Sequence, residues 1–156
     1  MSIQLVSPKK PTVLLGMFVL FALLLSACAK APDKDVPQPS NPGPAGSAVK
    51  LTGNPTAGAD VFSKNCVACH GEQGKKGIAN PGSSDGTIPT LNPIDDLLVS
   101  SDLTVYSTNL DLYIEHGSTP EGNTPALKMT AFGDQKILTP QQIADVIAYV
   151  ISLNKK

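Results

Sequence analysis

The sequence predicts an all-α domain of about 100 residues behind an N-terminal targeting segment. Three observations carry this expectation. The C-terminal segment has a complete helix start signal followed by an apolar stripe, Asn54-Pro55 opens a second helix, and Asn109–His116 keeps apolar residues at helical spacing. A length of 156 residues suits one domain plus such a leader.

The clearest helix is the last one. Thr139-Pro140-Gln141-Gln142 has the pattern of a capping box, with Thr139 as the cap and Gln142 reaching back to it. Apolar side chains then recur along one helix face, at Ile143, Val146, Ile147, Val150 and Ile151. This stripe requires an apolar partner, and we expect the helix that carries Gly58 and Phe62 to supply it.

Start and stop signals of the same kind predict the other helices. Asn54 as cap and Pro55 at the first helical position start a helix that delivers Cys66 at its end. Gly58 inside it costs about 1 kcal/mol relative to Ala, which a close helix crossing would explain. Further helices are expected after Pro93 and over Asn109–His116, the latter stopped by Gly117. The segments between them are rich in Gly and Pro and read as loops.

The informative motif is Cys66-Val67-Ala68-Cys69-His70. The spacing C-x-x-C-H indicates attachment of a c-type haem. Residues three apart lie on one side of a helix, so both thiols can reach the same macrocycle and form two thioether links. His70 follows directly and can present a ring nitrogen to the iron. We therefore predict one covalently bound haem c.

A C-x-x-C pair has two other common uses, in a structural zinc site and as a redox-active dithiol. A structural zinc site needs four ligands, and only His70 and His116 could join the two cysteines, at a spacing typical of no zinc finger. A redox-active dithiol favours a helix N-terminus, whereas here the predicted helix precedes the cysteines. Both alternatives are weaker than haem attachment.

Composition agrees with a haem protein and argues against other classes. Only 4% of the residues are aromatic and there is no Trp, so a buried macrocycle would supply apolar mass that the side chains lack. The formal net charge is −1 and every basic residue apart from histidine is Lys, which argues against a nucleic-acid partner.

The N-terminus predicts export and anchoring. Lys9 and Lys10 precede an apolar run from Val13 to Ala27 that is short for a membrane span and typical of a signal peptide. Leu25-Ser26-Ala27-Cys28 resembles the lipobox of bacterial lipoproteins, in which Cys28 would be lipidated. The alternative is an uncleaved transmembrane anchor. Both place the domain at the outer face of the cytoplasmic membrane or on the periplasmic side of the envelope.

The predicted domain organisation follows from these segments. Residues 1–27 form a lipoprotein signal peptide, 28–50 the lipidated N-terminus with a Pro-rich tether, and 51–156 the haem domain. An extended tether of this length reaches at most roughly 70 Å.

Over Asn54 to Leu153 the chain resembles class I monohaem cytochromes c. The resemblance rests on Gly58, Phe62, Cys66, Cys69, His70, Gly117, Met129 and a last helix that contains Ala148-Tyr149-Val150. It implies crossing N- and C-terminal helices, short helices around the haem, and Met129 as the distal iron ligand. Met129 is also the single methionine outside the leader, although it could merely fill a gap near the haem. His116 is the competing ligand.

One departure from the family concerns the support of the proximal histidine. The family usually has Gly-Pro ahead of a Leu, and the Pro carbonyl accepts a hydrogen bond from the histidine. Here Ile88-Pro89-Thr90-Leu91 stands in that place without the Gly, and Pro81 is a second candidate.

The resemblance implies one-electron transfer rather than enzymatic catalysis, in a respiratory or photosynthetic chain, with membrane electron-transfer complexes as partners. Two rival hypotheses stay open. One is an integral haem subunit of a larger quinol-oxidising membrane complex. The other is a ligand-binding or peroxidase-like haem protein, which would need an open iron position.

Overall fold

The computed structural model describes residues 36–155, which form an assembly of helices and ordered loops. The α-helices are α1 (Pro55–Asn65), α2 (Val67–His70), α3 (Leu103–His116) and α4 (Pro140–Leu153), and short 3-10 helices cover Ser47–Lys50, Glu72–Gly74 and Asp96–Leu98. Within residues 36–155 the extended chain forms only two isolated bridges, so the all-α prediction is confirmed. None of the helices described is long and apolar enough to cross a membrane. The predicted signal peptide and Cys28 lie outside the described residues.

Helices α1 and α4 pack closely against each other and form the centre of the core. Gly58 lies so near the backbone of α4 that an added Cβ would overlap the carbonyl of Asp145 and press on Tyr149. Phe62 is 1% exposed, and its ring meets that of Tyr149 edge-on at a centroid distance of 5.3 Å. The apolar stripe of α4 is buried, as its spacing predicted.

Both of these helices begin where their caps predict. The side chain of Asn54 accepts hydrogen bonds from the backbone N–H groups of Thr56 (2.9 Å) and Ala57 (3.4 Å). At α4 the capping box is complete, because Gln142 N–H donates to Thr139 Oγ1 (3.3 Å) and Thr139 N–H donates to Gln142 Oε1 (2.9 Å). A buried carboxylate joins the two helix starts, since Asn54 N–H also donates to Asp145 (2.8 Å).

Helix α3 is longer than the sequence suggested. It starts at Leu103 rather than near Asn109, because the Asp102 carboxylate caps it by accepting from the N–H groups of Thr104 (2.8 Å) and Val105 (3.3 Å). It ends at His116, and Gly117 stops it with φ of +66°, a value that favours glycine.

The Pro-rich segment contributes to the folded part of the chain. Residues 40–48, called the strap below, lie along α3. Ala48 is 2% exposed and belongs to the core, and Gly46 N–H donates to the Asp111 carboxylate at 2.6 Å. The packed part of the chain therefore includes residues ahead of 51, where the sequence predicted the haem domain to start. Backbone groups in such a segment have no helical or sheet partners, and here side chains of α3 supply them.

The crossing of α1 and α4 yields the first prediction. Replacing Gly58 with Ala forces the two backbones apart, so the free energy of unfolding of the haem-loaded protein should fall by about 1–3 kcal/mol in urea titrations. Asp60→Ala, at an exposed position of the same helix, is the matched control and should change it little. Equal stability of Gly58→Ala and the wild type would contradict the close crossing.

Candidate functional site

The three side chains of the C-x-x-C-H motif are gathered at the end of α1. Cys66 N–H still donates to Phe62 O (2.8 Å), so the first cysteine is fixed to the helix that packs on α4. The chain then turns into α2, where His70 N–H donates to Cys66 O at 2.9 Å. Cys66 and Cys69 are free thiols and half-buried. The motif thus occupies a single helical turn on the edge of the core.

The ring of His70 has a defined orientation. Its Nδ1 lies 2.9 Å from the carbonyl oxygen of Pro89. A carbonyl can only accept, so Nδ1 carries the proton and Nε2 keeps its lone pair, which is the form in which imidazole ligates a metal. Burial lowers the pKa of His70, while the hydrogen bond to Pro89 opposes that shift. The neutral imidazole is therefore favoured.

Pro89 reaches the histidine through a folded loop. Leu91 N–H donates to Gly74 O and Ile88 N–H to Ile78 O, both at 2.8 Å, which pins the segment around Pro89 against the segment that follows the motif. Gly77 lies where any side chain would overlap the carbonyl of Ile88. The carbonyl of Pro81, the other candidate, instead accepts from Ala126 N–H at 3.0 Å.

The surroundings of the thiols do not favour the alternative uses of the motif. Burial, reinforced by the neighbouring Cys69, raises the pKa of Cys66 to about 12. Redox-active dithiols have the opposite property, a lowered thiol pKa. Among residues 36–155, moreover, no three His, Cys, Asp or Glu side chains are grouped so that they could hold a metal ion.

Met129 lies in the loop that follows α3. Its N–H donates to Ser118 O (2.8 Å) and its carbonyl accepts from Ser118 N–H (3.2 Å), forming a short two-stranded pairing. Gly117 allows this approach, because a Cβ there would collide with the Met129 backbone. The residue is half-buried. Its position is therefore set by the turn at the end of α3.

His116 has both ring nitrogens engaged away from the motif. Nδ1 lies 2.9 Å from the Asp134 carboxylate and Nε2 lies 2.9 Å from Pro44 O. Both partners are acceptors, so the two contacts are satisfied together only when both nitrogens are protonated. The hydrogen bond to Asp134, followed by that to Pro44, raises the pKa of His116 accordingly. In this arrangement neither nitrogen is available to iron.

Sequence reasoning missed one polar group close to the core. In the part of the chain that the structure describes, the Tyr106 hydroxyl is buried without a hydrogen-bond partner. A group left in this state costs about 1–3 kcal/mol. Tyr106 was missed because the predicted helix started after it.

These residues fit a covalent haem. The site offers two unbridged thiols three residues apart and an imidazole whose Nε2 has its lone pair free. The core beside it is edged by half-buried apolar side chains, namely Val67, Leu91, Leu98, Ile114 and Phe132.

Comparison with known proteins points in the same direction. The sequence model of the cytochrome c family matches residues 55–154. The chain is 40% identical over 107 residues to the "Cbb3-type cytochrome c oxidase subunit CcoP" of Azospirillum sp. (strain B510) and 36% identical over 107 residues to that of Azospirillum brasilense. It is also 36% identical over 103 residues to the "Cbb3-type cytochrome c oxidase subunit FixP" of Sinorhizobium medicae (strain WSM419).

The similarity covers a limited part of these relatives. Each of the three alignments includes 64% of this chain but 30% of the relative's length. No solved structure matches the chain significantly.

The contacts of His116 yield a prediction about pH. Its pKa in the folded protein is raised above the unfolded value of about 6.5. The stability it contributes is therefore complete below pH 6.5 and is lost as the pH rises through the folded pKa. His116→Gln should destabilise the haem-loaded protein most near pH 5.5 and progressively less up to pH 9, as measured by urea unfolding.

The acidic neighbours of His116 define the control for this measurement. Asp134 bonds to the ring, and the carboxyls of Asp111 and Glu115, whose pKa values burial raises, face the same region. Asp134→Asn should move the pH dependence to lower pH, because it removes the carboxylate that holds the proton. A stability difference between wild type and His116→Gln that is constant from pH 5.5 to 9 would contradict the assignment.

Proposed function

Because the chain belongs to the cytochrome c family, we propose that it is a membrane-tethered monohaem cytochrome c in which His70 and Met129 ligate the iron. Family membership supplies the coarser statement: the chain has the all-α class I cytochrome c fold, binds haem c covalently and carries electrons. The finer proposal concerns ligands, anchoring and partners. The observation that carries the ligand assignment is the 2.9 Å contact between His70 Nδ1 and the carbonyl of Pro89.

In this proposal Cys66 and Cys69 each hold the haem through a thioether, and His70 presents Nε2 to the iron. The bound haem supplies one-electron chemistry between its ferrous and ferric states. The Pro89 carbonyl keeps the imidazole ring in place and in one tautomer, so the ligand does not rearrange as the charge changes. Apolar side chains around the site exclude water and disfavour the additional positive charge of the oxidised state.

Met129 is proposed as the second axial ligand. A neutral thioether would favour the reduced state and, together with the His70 imidazole, would occupy the positions that oxygen or substrate needs. Support comes from three facts: Met129 is the single methionine beyond the leader, its backbone is fixed against Ser118, and His116 is engaged elsewhere. A ligand-binding or peroxidase-like role would require this position to be open.

For the site of action we propose the outer face of a bacterial membrane. Signal peptide 1–27 and lipidation of Cys28 are supported by the sequence Leu25-Ser26-Ala27-Cys28 after an apolar run. Two acyl chains on one cysteine provide stable anchoring. With the strap packed on α3, residues 28–39 lie between Cys28 and the strap, and a chain of that length reaches at most about 37 Å if extended. The domain would then work close to the membrane surface.

As partners we propose membrane electron-transfer complexes. A second candidate is a haem subunit built permanently into such a complex, which the names of the relatives favour, since they are subunits of cbb3-type oxidases. Between residues 51 and 156 there are seven lysines and eleven acidic residues, so a strongly basic docking surface is absent from this stretch of sequence. Tethering raises the local concentration, so a weak interface would suffice for a shuttle.

The ligand assignment predicts a change in potential. Met129→Ala should lower the reduction potential of the haem, within the span of about 0.8 V over which axial ligands act, because the thioether no longer stabilises the ferrous state. Lys128→Ala, at the exposed neighbouring position, is the matched control and should leave the potential nearly unchanged. Spectroelectrochemical titration measures both. A potential in Met129→Ala equal to that of the wild type would remove Met129 from the iron.

The anchoring proposal predicts how the protein fractionates. Wild-type haem should sediment with membranes and enter solution only with detergent, whereas Cys28→Ser should release the domain to the soluble periplasmic fraction or retain it with an uncleaved leader, which mass spectrometry distinguishes. When the detergent extract is fractionated, a shuttle should purify separately from integral membrane subunits, whereas a permanent subunit should co-purify with them. Lipid-free wild-type protein in the soluble fraction would reject the anchor.

A further inference from the structure

The strap contacts the part of the fold that sets the position of Met129. Asn41 Nδ2 donates to His116 O at 2.8 Å, and Thr119 N–H donates to Ser40 Oγ at 2.6 Å. Ser40 N–H in turn donates to the hydroxyl of Ser118 at 3.2 Å. His116, Ser118 and Thr119, at the end of α3 and in the turn after it, are thus bonded to two adjacent residues of the strap.

The same turn pairs with Met129. Ser118 exchanges two backbone hydrogen bonds with Met129, at 2.8 and 3.2 Å. One residue therefore receives the strap through its side chain and holds Met129 through its backbone. The residues between the turn and Met129 are fixed separately, because the buried Asn80 side chain bonds both backbone groups of Leu127, at 2.8 and 3.1 Å. The strap acts on the other side of the pair, at the turn that follows α3.

His116 ties the strap to the other side of the Met129 loop. Its ring bonds Pro44 of the strap and Asp134, five residues beyond Met129. The backbone there is also fixed to the end of α3, because Phe132 N–H donates to Ile114 O (2.9 Å) and Asp134 N–H donates to Glu115 O (3.0 Å). The loop is therefore held both before and after Met129. On the first side the strap bonds to the hydroxyl of Ser118. On the second side it bonds to the ring of His116, which also bonds to Asp134.

We propose that the strap is a positioning element for Met129: by bonding the turn Gly117–Thr119 and the His116 ring, it keeps the Ser118–Met129 pair closed and the thioether aimed at the haem. The inference rests on the proposed role of Met129 as an iron ligand. The strap precedes residue 55, where the match to the family begins, so it lies outside the matched residues.

The test uses the haem-loaded protein with Ser40→Ala and Asn41→Ala combined. These substitutions remove the bonds to Thr119 and to His116 O from exposed positions, so the fold should persist. The matched control is Gln38→Ala, since within residues 36–155 the Gln38 side chain bonds to Val36 of the same segment and to no other residue. Ser40→Thr in the Asn41→Ala background keeps the hydroxyl and should restore part of the effect.

Two readouts separate bracing of the loop from ligation of the iron. In the double variant, hydrogen exchange of the Met129 and Ser118 amides should accelerate about tenfold, as expected for the loss of two hydrogen bonds. Imidazole should then displace the Met129 thioether from ferric iron at a concentration about tenfold lower than in the wild type. The displacement is followed through the loss of the thioether-to-iron charge-transfer absorption. Gln38→Ala should match the wild type in both.

The outcomes that overturn the proposal are distinct. Unchanged exchange in the double variant would reject the brace. Faster exchange with an unchanged imidazole affinity would mean that the strap stabilises the loop without positioning the ligand, which also rejects the proposal. A wild-type protein that lacks the thioether absorption would reject Met129 as a ligand, and with it this inference, before any strap variant is made.

Discussion

The hydrogen bond from His70 to the carbonyl of Pro89 is the interaction on which the functional geometry depends. It assigns the proton to Nδ1, leaves the lone pair of Nε2 free to bind a metal and holds the ring in one orientation. Two packing features bring its ends together. The crossing of α1 and α4 at Gly58 fixes the helix that ends at Cys66, and the loop from Gly71 to Leu91 folds back so that Pro89 meets the ring. The core of the fold thereby determines the chemical state of one imidazole.

Local signals in the sequence predicted those features that depend on residues close together in the chain. Asn54-Pro55 and the capping box at Thr139 placed the starts of α1 and α4, and the motif identified the covalent haem. The choice between Pro89 and Pro81 stayed open, because it depends on a contact nineteen residues from His70 that local pattern does not encode. The early start of α3 was missed for a simpler reason: the prediction began at Asn109, although Leu103, Tyr106 and Leu110 keep the helical spacing of apolar residues after the Asp102 cap.

The packing of the strap on α3 could not be predicted from amino-acid composition alone. A run of Pro, Gly, Ser and Asn cannot build its own core, and the sequence therefore predicted a free tether. Its polar backbone is instead satisfied by side chains of α3, notably Asp111 and a doubly protonated His116. In the sequence His116 was the ligand candidate that competed with Met129. Its position between Pro44 and Asp134 gives it a tertiary role, in which one charge joins three separate segments.

Carbon monoxide binding tests the central claim of a closed, electron-transferring haem most directly. The wild-type protein is reduced, mixed with carbon monoxide and followed by absorption, with the pyridine haemochrome giving the amount of haem. With His70 and Met129 on the two axial positions, one covalent haem per chain should show no rapid uptake. Fast, stoichiometric formation of the carbon monoxide complex would mean an open iron position and would contradict electron transfer through a closed site.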